Sequence, residues 1–196
     1  MLNSIEKIIY LSLFLLFLIV REYFKARYRK IDYKKSKVKV IDVVLLAFNG
    51  IAMIIPLIYV FSAVFDFANY NRPSWINIIG IIILIIATIC LWMSHRDLGS
   101  NWTPTLGIKT DHELVKKGIY KHIRHPMYSA HIIWAIGQMV ILPNWIAGFS
   151  FILFAVLVPL LRIRDEEDLM IGEFGEAYKE YIHETGSILP RIKRIE

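Results

Sequence analysis

One cysteine, Cys90, is all that the 196 residues contain, which excludes a disulfide framework and a thiolate metal site. It sits inside an apolar run and is read as inert. No GxGxxG is present, so a dinucleotide-type or Rossmann methyltransferase site has no support. GxxxxGK[ST], HExxH and GxSxG are missing too. His112, His122 and His125 lack a credible metal geometry, and no metal is expected. The chain shows no internal repeat or low-complexity segment, and it lacks the polar majority of a soluble domain. Hydrophobic residues make up 56% of it, and the mean hydropathy is positive. That composition belongs to a membrane protein. The formal net charge of +6 could suit nucleic acid. However, the basic residues cluster beside apolar spans, as they do where charge sets membrane topology, so no nucleic-acid partner is expected.

Five apolar runs follow one another, against a requirement of about 20 residues for a spanning helix. The first, Ile5 to Val20, has no small-residue cleavage site after it and is read as a retained span rather than a signal peptide. It is extended by Arg21, Glu22, Tyr23 and Phe24, which can snorkel or anchor. The basic loop Lys25–Lys39 is expected in the cytoplasm by the positive-inside rule, and the N-terminus outside. The second run, Ile41 to Phe65, contains Gly50 and Pro56, which membrane helices tolerate. Trp75 to Met93 is the third, with Trp75 and Trp92 at its edges. Met127 to Leu142 and Trp145 to Leu161 are separated only by Pro143 and Asn144, which forces an antiparallel hairpin. The expectation is an all-α integral membrane protein with about five transmembrane helices, a cytoplasmic loop and a C-terminal helix. Residues 1–94 would form three N-terminal spans with their basic loop, and residues 95–196 the functional core.

The loop His95–His125 is too long and too polar to be a mere connection, yet Trp102, Pro104, Leu106, Ile108, Leu114 and Ile119 argue against disorder. It ends in GIYKHIRHPMY, Gly118 to Tyr128, at the mouth of the fourth run. Ionisable side chains in that place mark a functional site as a block, although any one of them alone would suit a headgroup anchor. Pro126 fits the first turn of the fourth helix, whose free N–H groups are suited to an anion. Beyond the fifth run, Met170, Phe174, Ala177, Tyr178 and Tyr181 recur at helical spacing, so Arg162–Ile182 is expected to continue that helix until Gly186 and Pro190 end it. Arg162 and Glu166 share a face. One or two members of the acidic run Asp165 to Asp168 would turn inward to hold a ligand's amine. A ligand carrying both carboxylate and ammonium could bridge the fourth helix start and this stem.

GIYKHIRHPMY, the hairpin, RIRDEEDLMIGEFGEAYKEY and Pro190 together resemble the isoprenylcysteine carboxyl methyltransferase family, over roughly Leu98 to Pro190. The resemblance implies a multi-pass methyltransferase that uses S-adenosylmethionine. It implies that the cofactor is held by His112, Glu113, Leu114, Val115, Tyr120, His125, Pro126, Met127, Tyr128 and Glu166. It also implies that Arg162 meets the acceptor carboxylate, with Arg162 and Glu166 as the catalytic pair. Thr105 stands on the cofactor side, where a longer amide is expected in eukaryotic members. The acceptor implied is lipid-like or prenylated and enters from the bilayer. A phospholipid or lipid amine N-methyltransferase is the alternative enzyme, a membrane reductase a more distant one, and a non-catalytic lipid-binding scaffold the remaining possibility.

Overall fold

A computed structural model describes residues 2–28, 33–36, 40–103 and 107–191 of the chain. Thr105, Pro104 and Leu106 lie outside the described residues, as does much of the basic loop. Helices occupy all five apolar runs: α1 (Ser4–Arg27), α2 (Val40–Phe61), α3 (Ile76–Leu98), α4 (Pro126–Ile141) and the pair α5 (Trp145–Phe149) and α6 (Ile152–Phe174), followed by α7 (Glu176–Glu184). Three of these segments, Val43–Phe61, Ile76–Asn101 and Trp145–Phe174, are long and apolar enough to cross a membrane. Their outward faces are apolar as well. Ile78, Ile79, Ile82, Ile85, Ile86 and Ile89 of α3 are all exposed, which is the surface that lipid requires and water penalises.

Local chemistry sets the helix ends. Asn3 caps α1 in a reciprocal box: its Oδ1 accepts from Glu6 N at 2.9 Å, and Asn3 N donates to Glu6 Oε2 at 2.9 Å. Tyr10, Phe14, Phe17 and Phe24, spaced for one helical face, are the buried residues of α1. Phe14 and Phe17 pack on Trp134 of α4, with ring centroids of Phe17 and Trp134 4.3 Å apart, and Phe24 stacks on His95 of α3.

The tightest pairing is α3 against α4. Glycine makes it possible, because lipid offers no hydrophobic drive between helices and close backbone approach must supply the contact. A Cβ at Gly80 would stand 2.8 Å from Ile141 Cβ, and one at Gly137 would stand 2.8 Å from Leu84 Cδ2. Buried polar groups tie further helices in: Tyr10 Oη donates to Gln138 Oε1 (3.2 Å), and Gln138 Nε2 donates to Ala147 O (2.9 Å). Asn144, fully buried, accepts from Ile146 N and Ala147 N to start α5, while its Nδ2 donates to Phe65 O and Asn69 Oδ1. The hairpin expected at Pro143–Asn144 is formed.

Four features depart from the sequence expectation. The fold is not purely helical: β1 (Tyr33–Ser36) pairs antiparallel with β2 (Gly107–Lys109), in register Tyr33 with Lys109 and Ser36 with Gly107. Helix α3 continues through His95 and Arg96 to Leu98, four residues into the expected loop. The fifth apolar run is broken between α5 and α6. The C-terminal helix does not run through to Ile182. It breaks at Gly175, which has φ +56°, a backbone setting open to glycine and costly for other residues. The break lets α7 turn back towards α4 and the loop that precedes it.

Candidate active site

A cavity of about 440 Å³ opens at the end of the bundle where α1, α3, α4 and α6 meet the 95–125 segment. This size is within the roughly 300–1,000 Å³ of small-molecule and cofactor pockets. Its walls include all eleven residues singled out from the sequence and described here: His112, Glu113, Leu114, Val115, Tyr120, His125, Pro126, Met127, Tyr128, Arg162 and Glu166. Ile108, buried on β2, closes one side. The ribbon carrying it is tied to the end of α6 by Lys34 Nζ and Glu173 Oε1, 2.6 Å apart.

Side-chain anchors shape the loop. Asn101 Oδ1 accepts from Glu113 N at 2.8 Å, which sets the extended stretch 112–115 against the end of α3. Asp97 Oδ2 accepts from Ile119 N at 2.9 Å, and Tyr181 Oη of α7 donates to Tyr120 O at 2.5 Å. The segment after α7 then lies along the start of α4. Arg124 N donates to Gly186 O (2.9 Å), His125 N to Ser187 O (3.0 Å), and Ser129 Oγ to Ile188 O (2.5 Å).

At the junction of α4 and α6, four polar side chains close on two carboxylates. Glu167 Oε1 accepts from Arg124 Nε at 2.8 Å and lies 3.1 Å from His125 Nε2. Glu166 Oε2 lies 3.3 Å from His125 Nδ1, and Tyr128 Oη donates to Glu166 Oε1. Arg162 Nη2 stands 3.8 Å from that same Oε1. With a carboxylate at each ring nitrogen, His125 is satisfied on both sides only as the imidazolium. Burial opposes that charge, but the hydrogen bonds to Glu166 and Glu167 outweigh it and hold its pKa above the usual range. His112 goes the other way. Burial first, and Lys109 second, lower its pKa, and its Nδ1 is buried with no hydrogen-bond partner among the described residues. Burial likewise pushes the Tyr181 phenol up to about 12. Of the acidic run, Glu166 and Glu167 are the two that face the start of α4. His122 does not join the block it was grouped with: it is exposed, and its hydrogen bonds among the described residues are backbone ones, its N donating to Ile119 O and its O accepting from Gly186 N. Among the described residues no group of three or more His, Cys, Asp or Glu side chains could hold a metal ion.

Residues 79–172 match the model of the isoprenylcysteine carboxyl methyltransferase (ICMT) family. A probable protein-S-isoprenylcysteine O-methyltransferase of Oryza sativa is 30% identical over 129 residues, 65% of this chain and 68% of that protein. The chain belongs to the isoprenylcysteine carboxyl methyltransferase family. Protein-S-isoprenylcysteine O-methyltransferase A of Arabidopsis thaliana, 26% identical over 192 residues, aligns across 97% of this chain and 96% of its own. The solved structure of the eukaryotic intramembrane Ras methyltransferase ICMT shares the fold, with a TM-score of 0.55 at 24% identity. The match covers 76% of this chain and 52% of that one, so the chain spans about half of the solved protein's length.

As a member of the isoprenylcysteine carboxyl methyltransferase family, the protein is a methyltransferase of the membrane. Its cavity has wall residues that sequence reasoning did not single out: Arg21 and Lys25 from α1, His95 and Asn101 from the end of α3, and His131 from α4. Arg21 and Lys25 sit in a stretch that reads as an interfacial anchor. His131 sits within an apolar run whose one polar face only the packing reveals.

Proposed function

We propose that the protein transfers a methyl group from S-adenosylmethionine to the carboxylate of an isoprenylcysteine-type or similar lipid-like acceptor. The cofactor would be held by His112, Glu113, Leu114, Val115, Tyr120, His125, Pro126, Met127, Tyr128 and Glu166, and the acceptor by Arg162. The observation that carries this reading is the convergence of those residues, from three separate chain segments, on one cavity. The fit to the cofactor rests on the donor set: two carboxylates, Glu113 and Glu166, suit an ammonium, and His112 brings a buried ring nitrogen with no hydrogen-bond partner among the described residues.

S-adenosylmethionine, when bound, supplies an electrophilic methyl group on a sulfonium. The acceptor carboxylate is already ionised near neutral pH, so the chain need not remove a proton. Its work is to hold and to dry. Arg162, buried midway along α6, presents a planar fork that matches a carboxylate in two hydrogen bonds. Glu166 lies on the same helix face and orients that guanidinium. The loop 112–128 and α7 cover the polar end of the cavity and exclude water, which strengthens each charge contact inside.

In this reading the chain crosses the membrane five times, α5 and α6 forming the last crossing, with the N-terminus outside and the cavity facing the cytoplasm. The acceptor's apolar tail enters between helices, and residues 95–196 act as the methyltransferase core behind three N-terminal spans. Assay of the purified protein with N-acetyl-S-farnesyl-L-cysteine and, separately, phosphatidylethanolamine tests the acceptor class. Methyl ester formation on the prenylcysteine alone is expected. Transfer to the amine alone would assign the protein to lipid N-methylation, a reaction that needs a base and gains little from Arg162.

A further inference from the structure

Arg21 stands on the wall of the cavity, in the last part of α1, and is partly buried. It makes no hydrogen bond or ion pair among the described residues. The other cations on that wall are matched: Lys25 to Glu22 at 3.1 Å, Arg124 to Glu167 at 2.8 Å, and Arg162 to Glu166 at 3.8 Å. A guanidinium beside an apolar interior is costly to leave without a counter-charge. Arg21 faces the cavity, so the counter-charge it lacks is one the cavity's contents can bring.

Two imidazoles stand beside it. His95 of α3 and His131 of α4 line the same cavity, and both lie within reach of the charge on Arg21. His95 is only 2% exposed, and its Nδ1 has no hydrogen-bond partner among the described residues. His131 Nδ1 lies 2.7 Å from Met127 O. A carbonyl can only accept, so this nitrogen carries the proton and Nε2 is left as an acceptor. The group is therefore a guanidinium fork with one buried ring nitrogen to spare and one acceptor for an O–H or N–H. It sits on α1, α3 and α4, whereas Arg162 is on α6.

We propose that Arg21, with His95 beside it, forms a second anion subsite, in which His131 Nε2 accepts from an O–H or N–H of the same ligand. The acceptor is then an amphiphile with a second acidic group, carboxylate or phosphate, besides the carboxylate that is methylated. This rests on the reading of the cavity as a carboxyl methyltransferase site. An acceptor with one carboxylate would satisfy Arg162 and leave Arg21 without a counter-charge among the described residues, whereas a second anion would supply one. A desolvated charge-assisted contact of this kind corresponds to at least about tenfold in affinity.

The test compares N-acetyl-S-farnesyl-L-cysteine, with one carboxylate, and N-succinyl-S-farnesyl-L-cysteine, with two. Binding to the full chain in neutral detergent is followed by calorimetry, and methyl transfer is followed separately. The native chain is expected to bind the dianion about tenfold more tightly. Arg21→Gln is expected to bring that ratio close to one, and Arg21→Lys to retain part of it. Equal binding of the two analogues by the native chain overturns the proposal, as does a ratio that survives in Arg21→Gln. Because the readout is a ratio, a general loss of folded protein does not imitate it. A preserved ratio without any methyl transfer would refute the methyltransferase reading and leave the subsite standing. If phosphatidylglycerol binds in an Arg21-dependent way while the analogues do not differ, the guanidinium serves a membrane phosphate and the proposal fails.

Discussion

Replacing Glu167 with Ala should undock the C-terminal segment from the cavity, because this one carboxylate serves two buried cationic groups. Its Oε1 accepts from Arg124 Nε at 2.8 Å and lies 3.1 Å from His125 Nε2. The Arg124 side chain is 8% exposed and that of Glu167 19%. Breaking a buried pair costs about 3–5 kcal/mol, since the remaining charge stays out of water. Two features lower that figure here. Glu167 keeps an edge in solvent, and Arg124 Nη1 still donates to Ile182 O (3.1 Å) and Thr185 O (2.5 Å). The expected loss is then about 2–3 kcal/mol. Unfolding in mixed micelles, titrated with sodium dodecyl sulfate and followed by circular dichroism, measures it. The double variant Arg124→Met/Glu167→Leu should cost less than the sum of its two single changes by at least about 1 kcal/mol, because neither charge is then stranded. Hydrogen exchange should show Tyr178 to Thr185 losing protection first. A loss below about 0.5 kcal/mol for Glu167→Ala, the scale of a surface pair, would refute the reasoning.

Three further outcomes follow from particular contacts. The folded-state pKa of His125 lies above its ordinary 6.5, so its contribution is complete below that value and disappears as pH rises through the folded pKa. Denaturation midpoints should therefore fall as pH rises above the ordinary 6.5, and His125→Gln should flatten that slope. Gly80→Ala and Gly137→Ala should both destabilise, by about 1–3 kcal/mol, with Gly80 the worse. Its new Cβ meets Ile141 N at 3.0 Å, a backbone atom, whereas that of Gly137 meets Leu84 and Ile83 side-chain ends that can shift. Thermal melts in detergent rank them, and a reversed order would contradict the packing. Asn144→Ala removes a cap and two donated bonds at a fully buried position. It should cost about 3 kcal/mol, read as a lowered melting temperature.

The helices and most of the cavity could be read from the sequence because their signals are local. Apolar runs of membrane length announce helices, and Pro143–Asn144 announces a hairpin. The block at Tyr120 to Tyr128 and the acids after Arg162 announce polar chemistry where hydrocarbon should begin. What stayed hidden depends on distant partners. Tyr33–Ser36 reads as a basic loop, and its strand character comes from pairing with Gly107–Lys109, more than 70 residues away. The bonds from Arg124 N and His125 N to Gly186 O and Ser187 O use backbone atoms, which leave no mark in residue type. Arg21 looks like any snorkelling cation at a helix end until packing turns it inward. Gly175 is a visible breaker, but the amphipathic spacing on both sides of it argued for one helix.

The central claim is that the start of α4, the stem of α6 and the loop 112–128 enclose the methyl donor while Arg162 serves the acceptor. Calorimetric titration of S-adenosylhomocysteine into the native protein and into Arg162→Ala, alongside turnover, tests it most directly. The account predicts one site, bound by both proteins with affinities within about threefold, a difference under 1 kcal/mol, and methyl transfer only by the native chain. No binding to the native protein, or an equal collapse of affinity and turnover in Arg162→Ala, would contradict it.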